Sequence, residues 1–318
     1  MEIRVKRNPN NPILTPINEH SWESKAVMNA SVVIKDKTFH MFYRALGSES
    51  KIFPSGKIYH RSYIGYAQGI DGIHFLRRNE PLIKPQAKWE ALGCEDPRVT
   101  KIGNSYYVFY TAISEGEKTD LNVQIAGAST DDFKDIKKLG VISLDGRCKA
   151  AALFPEKINN KFAFLYTQNA DSSNSTIYYA QVDSITKLFD KNKWAKTEKI
   201  PLLTPSANAY RGPELGAVPI KTSAGWLLIY CPESFKREWF IGAALLDLHD
   251  PTKIIGKTKE PLLKPEMNYE LSGYTNNVAF PSGAVIRDQV VFIYYGGADT
   301  GVCLATCTLK QLLLSLDK

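Results

Sequence analysis

The feature of this sequence that most constrains its fold is a strand-like segment that recurs five times along the 318 residues. Each copy is a run of aromatic and β-branched residues ending in a tyrosine-containing pair, and the copies start roughly every 60 residues. They read KTFHMFYRA from Lys37, NSYYVFYTA from Asn104, NKFAFLYTQ from Asn160, AGWLLIYCP from Ala224 and QVVFIYYGG from Gln289. Runs of this composition form strands with a buried face, so the spacing indicates a repeated β unit.

The segments around each copy repeat as well. A short strand-like stretch precedes each run and another follows it, and the motif PxLxP or PLxxP recurs as PILTP, PLIKP, PLLTP and PLLKP. Four strands in each of five units, joined by hairpin turns, predict an all-β chain folded as a single five-bladed β-propeller over residues 1–318. PILTP stands near the start, so the first and last segments are expected to share a blade, while KQLLLSLDK can form one short helix. A β-sandwich is the alternative, but it does not explain the period.

In a propeller the innermost strands line one central channel, and the residues that open those strands converge. Here those openings are polar, which favours a pocket that binds a hydroxyl-rich ligand such as a sugar. Asp96 could instead be a turn former before Pro97, and Glu214 could be a solvated loop carboxylate. The openings carry Asn29, Glu95, Asp96, Arg98, Arg147, Lys149, Arg211, Glu214, Asn276 and Asn277.

Composition narrows the class of protein. The net charge of +7 comes from lysines spread along the chain, so no nucleic acid partner is expected. No apolar run approaches the ~20 residues that span a bilayer, and the polar start MEIRVKRNPNNP does not resemble a signal peptide. Five scattered cysteines favour reduced thiols, and we expect a cytoplasmic protein without membrane contact. The histidines show no metal-ligand spacing, and Cys303 and Cys307 fit core packing better than zinc, so no metal or other cofactor is expected.

With these segments together, the chain resembles glycoside hydrolase family 130, the β-mannoside phosphorylases and β-1,2-mannosidases. The resemblance runs from NPILTP to YYGGADT, and its most specific segments are CEDPRVTKIGNSYYVFYTA, AALFPEKINNKFAF and GAALLDLHDP. It implies a five-bladed propeller and inverting chemistry without a cofactor. It also implies that Asp96 is the general acid, in phosphorylases acting through a hydroxyl of the bound mannose. Matching motifs imply sugar-binding roles for Asn29, Arg44, Lys149 and Asp299.

Two departures from the family pattern concern phosphate. Thr167 stands where the phosphorylases carry an arginine, and Cys231 where they carry a histidine. A phosphate dianion in a dry pocket needs charged donors, so these losses favour hydrolysis over phosphorolysis. Inverting hydrolysis needs a second carboxylate, roughly 6.5–9.5 Å from the acid, to activate water. Glu214 is the candidate base and Glu233 the reserve.

The sequence therefore predicts an inverting glycosidase that cleaves β-mannosidic bonds in short, β-1,2-linked manno-oligosaccharides, with Arg98 among the substrate-binding residues. The first alternative is a β-mannoside phosphorylase that releases mannose 1-phosphate, in which Lys149, Arg147 and Arg211 form a rearranged phosphate site. Inorganic phosphate is a partner only under that alternative. The second alternative is a propeller that binds a glycan without cleaving it. Linkage, substrate length and oligomeric state stay open.

Overall fold

The computed structural model describes residues 5–116, 121–207 and 209–317. With 56% strand and 7% helix, the fold is all-β, as predicted. The first strand, β1 (Lys6–Arg7), is short and pairs with the last of the sheets described below.

The first two sheets each contain four strands in chain order. The first comprises β2 (Ala26–Lys35), β3 (Thr38–Ile52), β4 (Ile58–Gly69) and β5 (Leu76–Arg77). The second comprises β6 (Gly93–Ile102), β7 (Ser105–Glu115), β8 (Leu121–Thr130) and β9 (Lys137–Ile142). Within each sheet every strand pairs antiparallel with the next, and a parallel pairing of Ser62 with Gly93 connects the two sheets.

The other sheets repeat this order. The third comprises β10 (Cys148–Ile158), β11 (Lys161–Gln168), β12 (Thr176–Val182) and β13 (Lys199–Leu203). The fourth comprises β14 (Ala209–Leu215), β15 (Ile220–Thr222), β16 (Gly225–Ser234), β17 (Gly242–Leu246) and β18 (Ile254–Thr258). The fifth comprises β19 (Ala279–Arg287), β20 (Val290–Gly297) and β21 (Gly301–Thr308), with β1 beside β21. Both β14 and β15 pair with β16, so together they form the first strand of their sheet.

Helices are short and lie between strands. They are the 3-10 segments Lys88–Glu90 and Ile185–Phe189, and the α-helices α1 (Lys191–Ala195), α2 (Asn268–Leu271) and α3 (Leu309–Leu314). The predicted helix in KQLLLSLDK is confirmed as α3, which begins after Thr308, whose hydroxyl accepts a hydrogen bond from the Gln311 backbone N–H.

All five predicted aromatic runs are confirmed as the second strands, β3, β7, β11, β16 and β20. Their side chains are buried almost continuously, because each sheet packs its two faces against two other sheets. Apolar clusters lie between consecutive sheets: Phe42 and Val108 belong to one, Phe109 and Phe164 to the next, and Leu165 and Trp226 to a third. Further clusters join the fourth sheet to the fifth, and the fifth back to the first through Tyr294.

The first strands of the sheets are also neighbours. Strand β2 lies beside β6 and β19, and β10 lies beside β6 and β14. No sheet closes on itself within the described residues. The arrangement nevertheless places the starts of these five strands around a common region, which is where the candidate site residues lie.

The chain ends join different sheets. Lys6 and Arg7 pair with Thr306 and Ala305, and Leu14 of PILTP pairs with Val302, so the N-terminal segment completes the fifth sheet as predicted. The last strand, β22 (Leu316–Asp317), instead pairs with β18 in the fourth sheet. The N-terminal segment therefore links the first sheet to the fifth, and the C-terminal segment links the fifth sheet to the fourth.

In each of three sheets, one buried glutamate connects the second strand to the fourth. It follows a PxLxP-type motif, accepts a hydrogen bond from the tyrosine hydroxyl of the second strand, and pairs with a cation of the fourth strand. The sets are Glu23 with Tyr43 and Arg77, Glu90 with Tyr110 and Lys138, and Glu270 with Tyr295 and Arg7. All three glutamates have 0% exposure, so each carboxylate depends on these partners for its charge to be tolerated.

Candidate active site

Every first strand carries a bulge near its start, and these bulges shape the site. The register shifts fall between Met28 and Ser31, Glu95 and Arg98, Lys149 and Ala151, Arg211 and Glu214, and Pro281 and Gly283. A bulge inserts an extra residue and redirects the side chains next to it. Asn29, Asp96 and Ala150 accordingly adopt left-handed φ angles of 51°, 51° and 46°, which are uncommon for residues other than glycine.

Asp96 lies in the β6 bulge and is buried, with 7% exposure. Its Oδ1 accepts a hydrogen bond of 2.7 Å from Nδ2 of Asn29, and Nη1 of Arg44 lies 3.4 Å from the same oxygen. Burial by itself would raise the pKa of Asp96. The positive charges of Arg44, Arg98 and Lys149 outweigh that effect, so the pKa of the carboxyl group lies below its usual value. In the unliganded protein Asp96 is therefore a carboxylate.

Arg44, on β3, joins two acidic groups of β6. Its Nη2 lies 2.7 Å from Oε1 of Glu95, in addition to the contact with Asp96. The same Glu95 oxygen accepts hydrogen bonds from the hydroxyl groups of Tyr59 and Ser62. Through Oε1, Glu95 thus helps to hold Arg44 beside Asp96, a supporting role that the sequence did not reveal.

Lys149, in the β10 bulge, is paired with a residue that the sequence analysis did not select. Its Nζ lies 2.7 Å from Oδ2 of Asp171, and Nη2 of Arg147 lies 3.0 Å from the same oxygen. The negative charges of Asp171, Glu214 and Asp96 outweigh burial and raise the pKa of Lys149, which stays protonated. Asp171 lies in the turn between β11 and β12, and no motif of the chain marks it.

Glu214 lies near the end of β14 with 3% exposure. Its Oε1 accepts a hydrogen bond of 2.9 Å from the backbone N–H of Asp171. Burial is the main reason that the pKa of Glu214 rises to about 7, and the charges of Asp171 and Asp96 add to it while that of Lys149 opposes it. Asp96 and Glu214 thus have pKa values displaced in opposite directions, a pattern that is typical of acid–base sites.

Asp299 lies between β20 and β21, where Ala298 and Asp299 have left-handed φ angles of 45° and 50°. Burial raises the pKa of Asp299, although a hydrogen bond from Thr275 and the charge of Arg44 oppose the rise. The Val27 N–H donates to the carbonyl of Thr300, so the turn that carries Asp299 lies beside the start of β2, and the charges of Arg44, Asp96 and Lys149 act on Asp299.

Arg98 differs from the other candidates, and its predicted contact with substrate needs correction. It is completely buried, and its guanidinium group donates to the backbone carbonyls of Asp96, Leu215 and Gly216 at 2.8–2.9 Å. A side chain with 0% exposure has no surface to offer a sugar. Because the bulge turns Asp96 toward the site, Arg98 points into the protein and links β6 to the end of β14.

Thr167 and Cys231 are both buried with 0% exposure. The Thr167 hydroxyl accepts a hydrogen bond from the backbone N–H of Leu215, and Cys231 packs against Trp239 and Val278.

Glu233, the reserve base, is held between two arginines: its carboxylate lies 3.0 Å from Nε of Arg211 and 2.6 Å from Nε of Arg237. Both of its oxygens face cations, which leaves Glu214 as the better placed of the two carboxyl groups for proton transfer.

The cysteines, possible metal ligands and possible membrane-spanning helices were also considered in the sequence analysis. The five cysteines are all buried and free, and Cys303 and Cys307 belong to an apolar cluster. Within the described residues no cluster of histidine, cysteine, aspartate or glutamate is arranged to hold a metal ion. In the same part of the chain, no helix combines the length and the apolar character that crossing a membrane requires.

Comparisons with known proteins agree on one family. The family model described as beta-1,4-mannooligosaccharide phosphorylase matches residues 4–318. A 1,2-beta-oligomannan phosphorylase of Thermoanaerobacter sp. (strain X514) is 36% identical over 314 residues, which cover 98% of this chain and 99% of the relative. A beta-1,2-mannobiose phosphorylase of the same organism is 38% identical over 315 residues, with the same coverage.

A solved structure gives the same result. The beta-1,2-mannobiose phosphorylase of Listeria innocua, in complex with beta-1,2-mannobiose, superposes with a TM-score of 0.84 at 26% identity and covers 99% of both chains. The resemblance seen in the sequence is thereby confirmed, and the chain belongs to glycoside hydrolase family 130.

Proposed function

We propose that this protein is a β-mannoside phosphorylase that cleaves β-1,2-linked manno-oligosaccharides with inorganic phosphate and releases mannose 1-phosphate. The observation that carries the proposal is the pair of relatives, 36% and 38% identical over almost the whole of both chains, that are named as phosphorylases of 1,2-β-oligomannan and β-1,2-mannobiose.

This proposal replaces the hydrolase predicted from the sequence, which the comparisons do not support. The prediction assumed that phosphate needs cations at positions 167 and 231. Both positions are buried in this chain, and the Thr167 hydroxyl accepts a hydrogen bond from the backbone N–H of Leu215. Of the three cations of the first alternative, Lys149 and Arg147 pair with the partly exposed Asp171, whereas Arg211 pairs with the buried Glu233. A phosphate site built on Lys149 and Arg147 is therefore consistent with the charges present.

The sugar side of the site is proposed to comprise Asn29, Asp96, Arg44 and Asp299. Asn29 contributes by holding the Asp96 carboxylate through a hydrogen bond of 2.7 Å from its Nδ2. Arg44 and Asp299 supply a donor and an acceptor close to Asp96. Such a group of convergent polar side chains can fix the orientation of one mannose residue.

In the proposed reaction, a phosphate oxygen attacks the anomeric carbon on the face opposite the leaving oxygen, which inverts the configuration. The bond from the anomeric carbon to the leaving oxygen breaks, and that oxygen takes a proton that Asp96 supplies, directly or through a mannose hydroxyl. Asp96 is a carboxylate in the free protein, so it must first gain this proton. A bound phosphate neutralises Lys149 and adds negative charge, which raises the pKa of Asp96 at the step that requires the acid.

Glu214 needs no base role when phosphate is the nucleophile. With its pKa raised to about 7, it is largely protonated on the acidic side of neutrality. A neutral carboxyl group repels phosphate less than a carboxylate does, and it can donate a hydrogen bond. The same residue would be the base if water were the nucleophile, so the role of Glu214 follows from the choice of nucleophile.

We further propose that the five sheets are the blades of one propeller domain. Three features support this: the antiparallel order repeated in every sheet, the apolar clusters between consecutive sheets including the fifth and first, and the pairing of β1 with β21. In this architecture the five bulged strands surround one central site.

The test is incubation with β-1,2-mannobiose, with and without inorganic phosphate, while mannose 1-phosphate and free mannose are measured separately. We expect mannose 1-phosphate only when phosphate is present. Free mannose at a rate independent of phosphate would show hydrolysis and contradict the proposal. Binding without any product from β-1,2-mannobiose or longer oligomers would favour a glycan-binding propeller.

A further inference from the structure

We infer that the Asp171 carboxylate occupies the position that phosphate takes between Lys149 and Arg147, so that phosphate must displace it to bind. Asp171 is then the residue that determines the enzyme's affinity for phosphate. This inference rests on the proposed phosphorylase function, and it adds a competing group within the chain that neither the sequence motifs nor the relatives' names indicate.

The geometry around Asp171 is that of a bound anion. One oxygen, Oδ2, lies 2.7 Å from Nζ of Lys149 and 3.0 Å from Nη2 of Arg147. Two cations that converge on one oxygen form the type of contact that a phosphate oxygen makes in a binding site. The Asp171 side chain is 30% exposed, so this contact is open to a solute.

The turn that carries Asp171 is anchored by its backbone. The Ala170 N–H donates to the carbonyl of Arg147, the Asp171 N–H donates to Glu214, and the Gly212 N–H donates to the carbonyl of Ser172. Because the backbone is held on both sides of Asp171, releasing the cations requires only that the side chain rotates toward water. Rotation between side-chain rotamers is a small change that leaves the fold intact.

A comparison with Glu233 explains why Asp171 is the group that yields. Glu233 also lies between two cations, Arg211 and Arg237, but its side chain is only 3% exposed. Turning Glu233 away would leave a charge buried without a partner, which is costly. Asp171 can exchange its cations for solvent, so a phosphate dianion can replace this monoanion.

Displacement also changes the surroundings of Glu214. The charge of Asp171 is, after burial, the largest contribution that raises the pKa of Glu214. When phosphate takes the place of Asp171, negative charge remains beside Glu214 and keeps its carboxyl group protonated. Because a dianion replaces a monoanion, the exchange also adds negative charge to the site, which favours the protonated form of Asp96 that the reaction requires.

The experiment measures binding of inorganic phosphate by isothermal titration calorimetry to the wild type, Asp171→Asn and Asp171→Ser. Removing the competing charge should tighten phosphate binding about tenfold or more in both variants. The KM for phosphate should fall in parallel, while the KM for β-1,2-mannobiose changes by less than about threefold. Asp183→Asn, which removes an exposed carboxylate that directly follows β12 and pairs with Lys187, is the control and should bind phosphate as the wild type does.

Unchanged or weaker phosphate binding in Asp171→Asn and Asp171→Ser would overturn the inference, because Asp171 would then be positioning the cations rather than competing for them. Thermal unfolding without phosphate checks that each variant is folded, and either variant alone decides the result. If the wild type releases free mannose only, the proposed function fails. The calorimetric comparison still decides whether Asp171 competes with phosphate.

Discussion

The amide Nδ2 of Asn29 donates to Oδ1 of Asp96 across 2.7 Å, which joins the bulge of β2 in the first sheet to the bulge of β6 in the second. Both residues have a left-handed φ of 51°. The other atom of the Asn29 amide, Oδ1, is buried and has no partner within the described residues. One end of the amide thus fixes the carboxylate, while the other is enclosed by the protein.

Replacing Asp96 with asparagine should lower the turnover of β-1,2-mannobiose with phosphate by at least ~10³-fold, because the donor of the proton to the leaving oxygen is lost. Asparagine tolerates a left-handed φ, so the melting temperature should stay within a few degrees of the wild type. Asp288→Asn is a matched control, since Asp288 also has a φ of 51° and its side chain is 89% exposed. Retention of most activity, or loss of folding, would return Asp96 to the role of a turn former.

The free energy of unfolding should depend on pH because burial raises the pKa of Glu214. Its pKa is about 7 in the folded protein against 4.5 as the ordinary value. Between these pH values the folded state holds a proton that the unfolded state releases, so stability falls as the pH rises from 4.5 to 7 and then levels off. Over this range the loss is on the order of 3 kcal/mol.

Glu214→Gln removes this titration, so its free energy of unfolding should rise relative to the wild type between pH 5 and pH 8. Urea unfolding of both proteins at a series of pH values measures the difference. Parallel curves for the two proteins would show that Glu214 does not titrate in this range.

Arg98→Met should destabilise the protein by at least about 3 kcal/mol, since three backbone carbonyls lose a charged donor in a buried place. Arg98→Lys should also be costly, because one ammonium group cannot reproduce the forked donors of a guanidinium. Arg61→Met, at a side chain that is 42% exposed, is the control and should cost less than about 1 kcal/mol. A raised KM for mannoside at unchanged stability would instead indicate that Arg98 contacts the substrate.

Two glutamates that share Arg7 allow a direct comparison of buried and exposed charge. Glu270 has 0% side-chain exposure and lies 2.8 Å from Nε of Arg7, while Glu266 is 52% exposed and lies 3.2 Å from Nη1. Glu270→Ala should cost about 3–5 kcal/mol in urea unfolding, because Arg7 and the hydroxyl of Tyr295 lose their buried partner, although Arg7 keeps Glu266. Glu266→Ala should cost less than about 1 kcal/mol. Similar losses for both variants would show that burial of Glu270 contributes nothing extra.

Much of the architecture could be predicted from the sequence because it depends on local composition. The runs that contain Tyr43, Tyr110 and Tyr166 are rich in aromatic and other apolar residues, and such runs favour strands with a buried face. The family could be recognised from short motifs in order along the chain, and EDPR within them marks Asp96 without reference to its neighbours in space. The recurring glutamates Glu23 and Glu90 follow PxLxP-type motifs, but the motifs do not mark them, and their tyrosine and cation partners come from distant strands.

The tertiary structure decided what each polar residue does. Arg98 stands two residues from Asp96, and one bulge sends the carboxylate to the site and the guanidinium into the protein. Asp171 belongs to no motif, and it matters only because the turn between β11 and β12 brings its carboxylate to Lys149 and Arg147. The departures from the family pattern at Thr167 and Cys231 could not show whether water or phosphate is the nucleophile. The charge around the site is a sum over side chains from several sheets. Local patterns determine which segments become strands, whereas the placement of charge depends on bulges, turns and burial that exist only when the sheets are packed together.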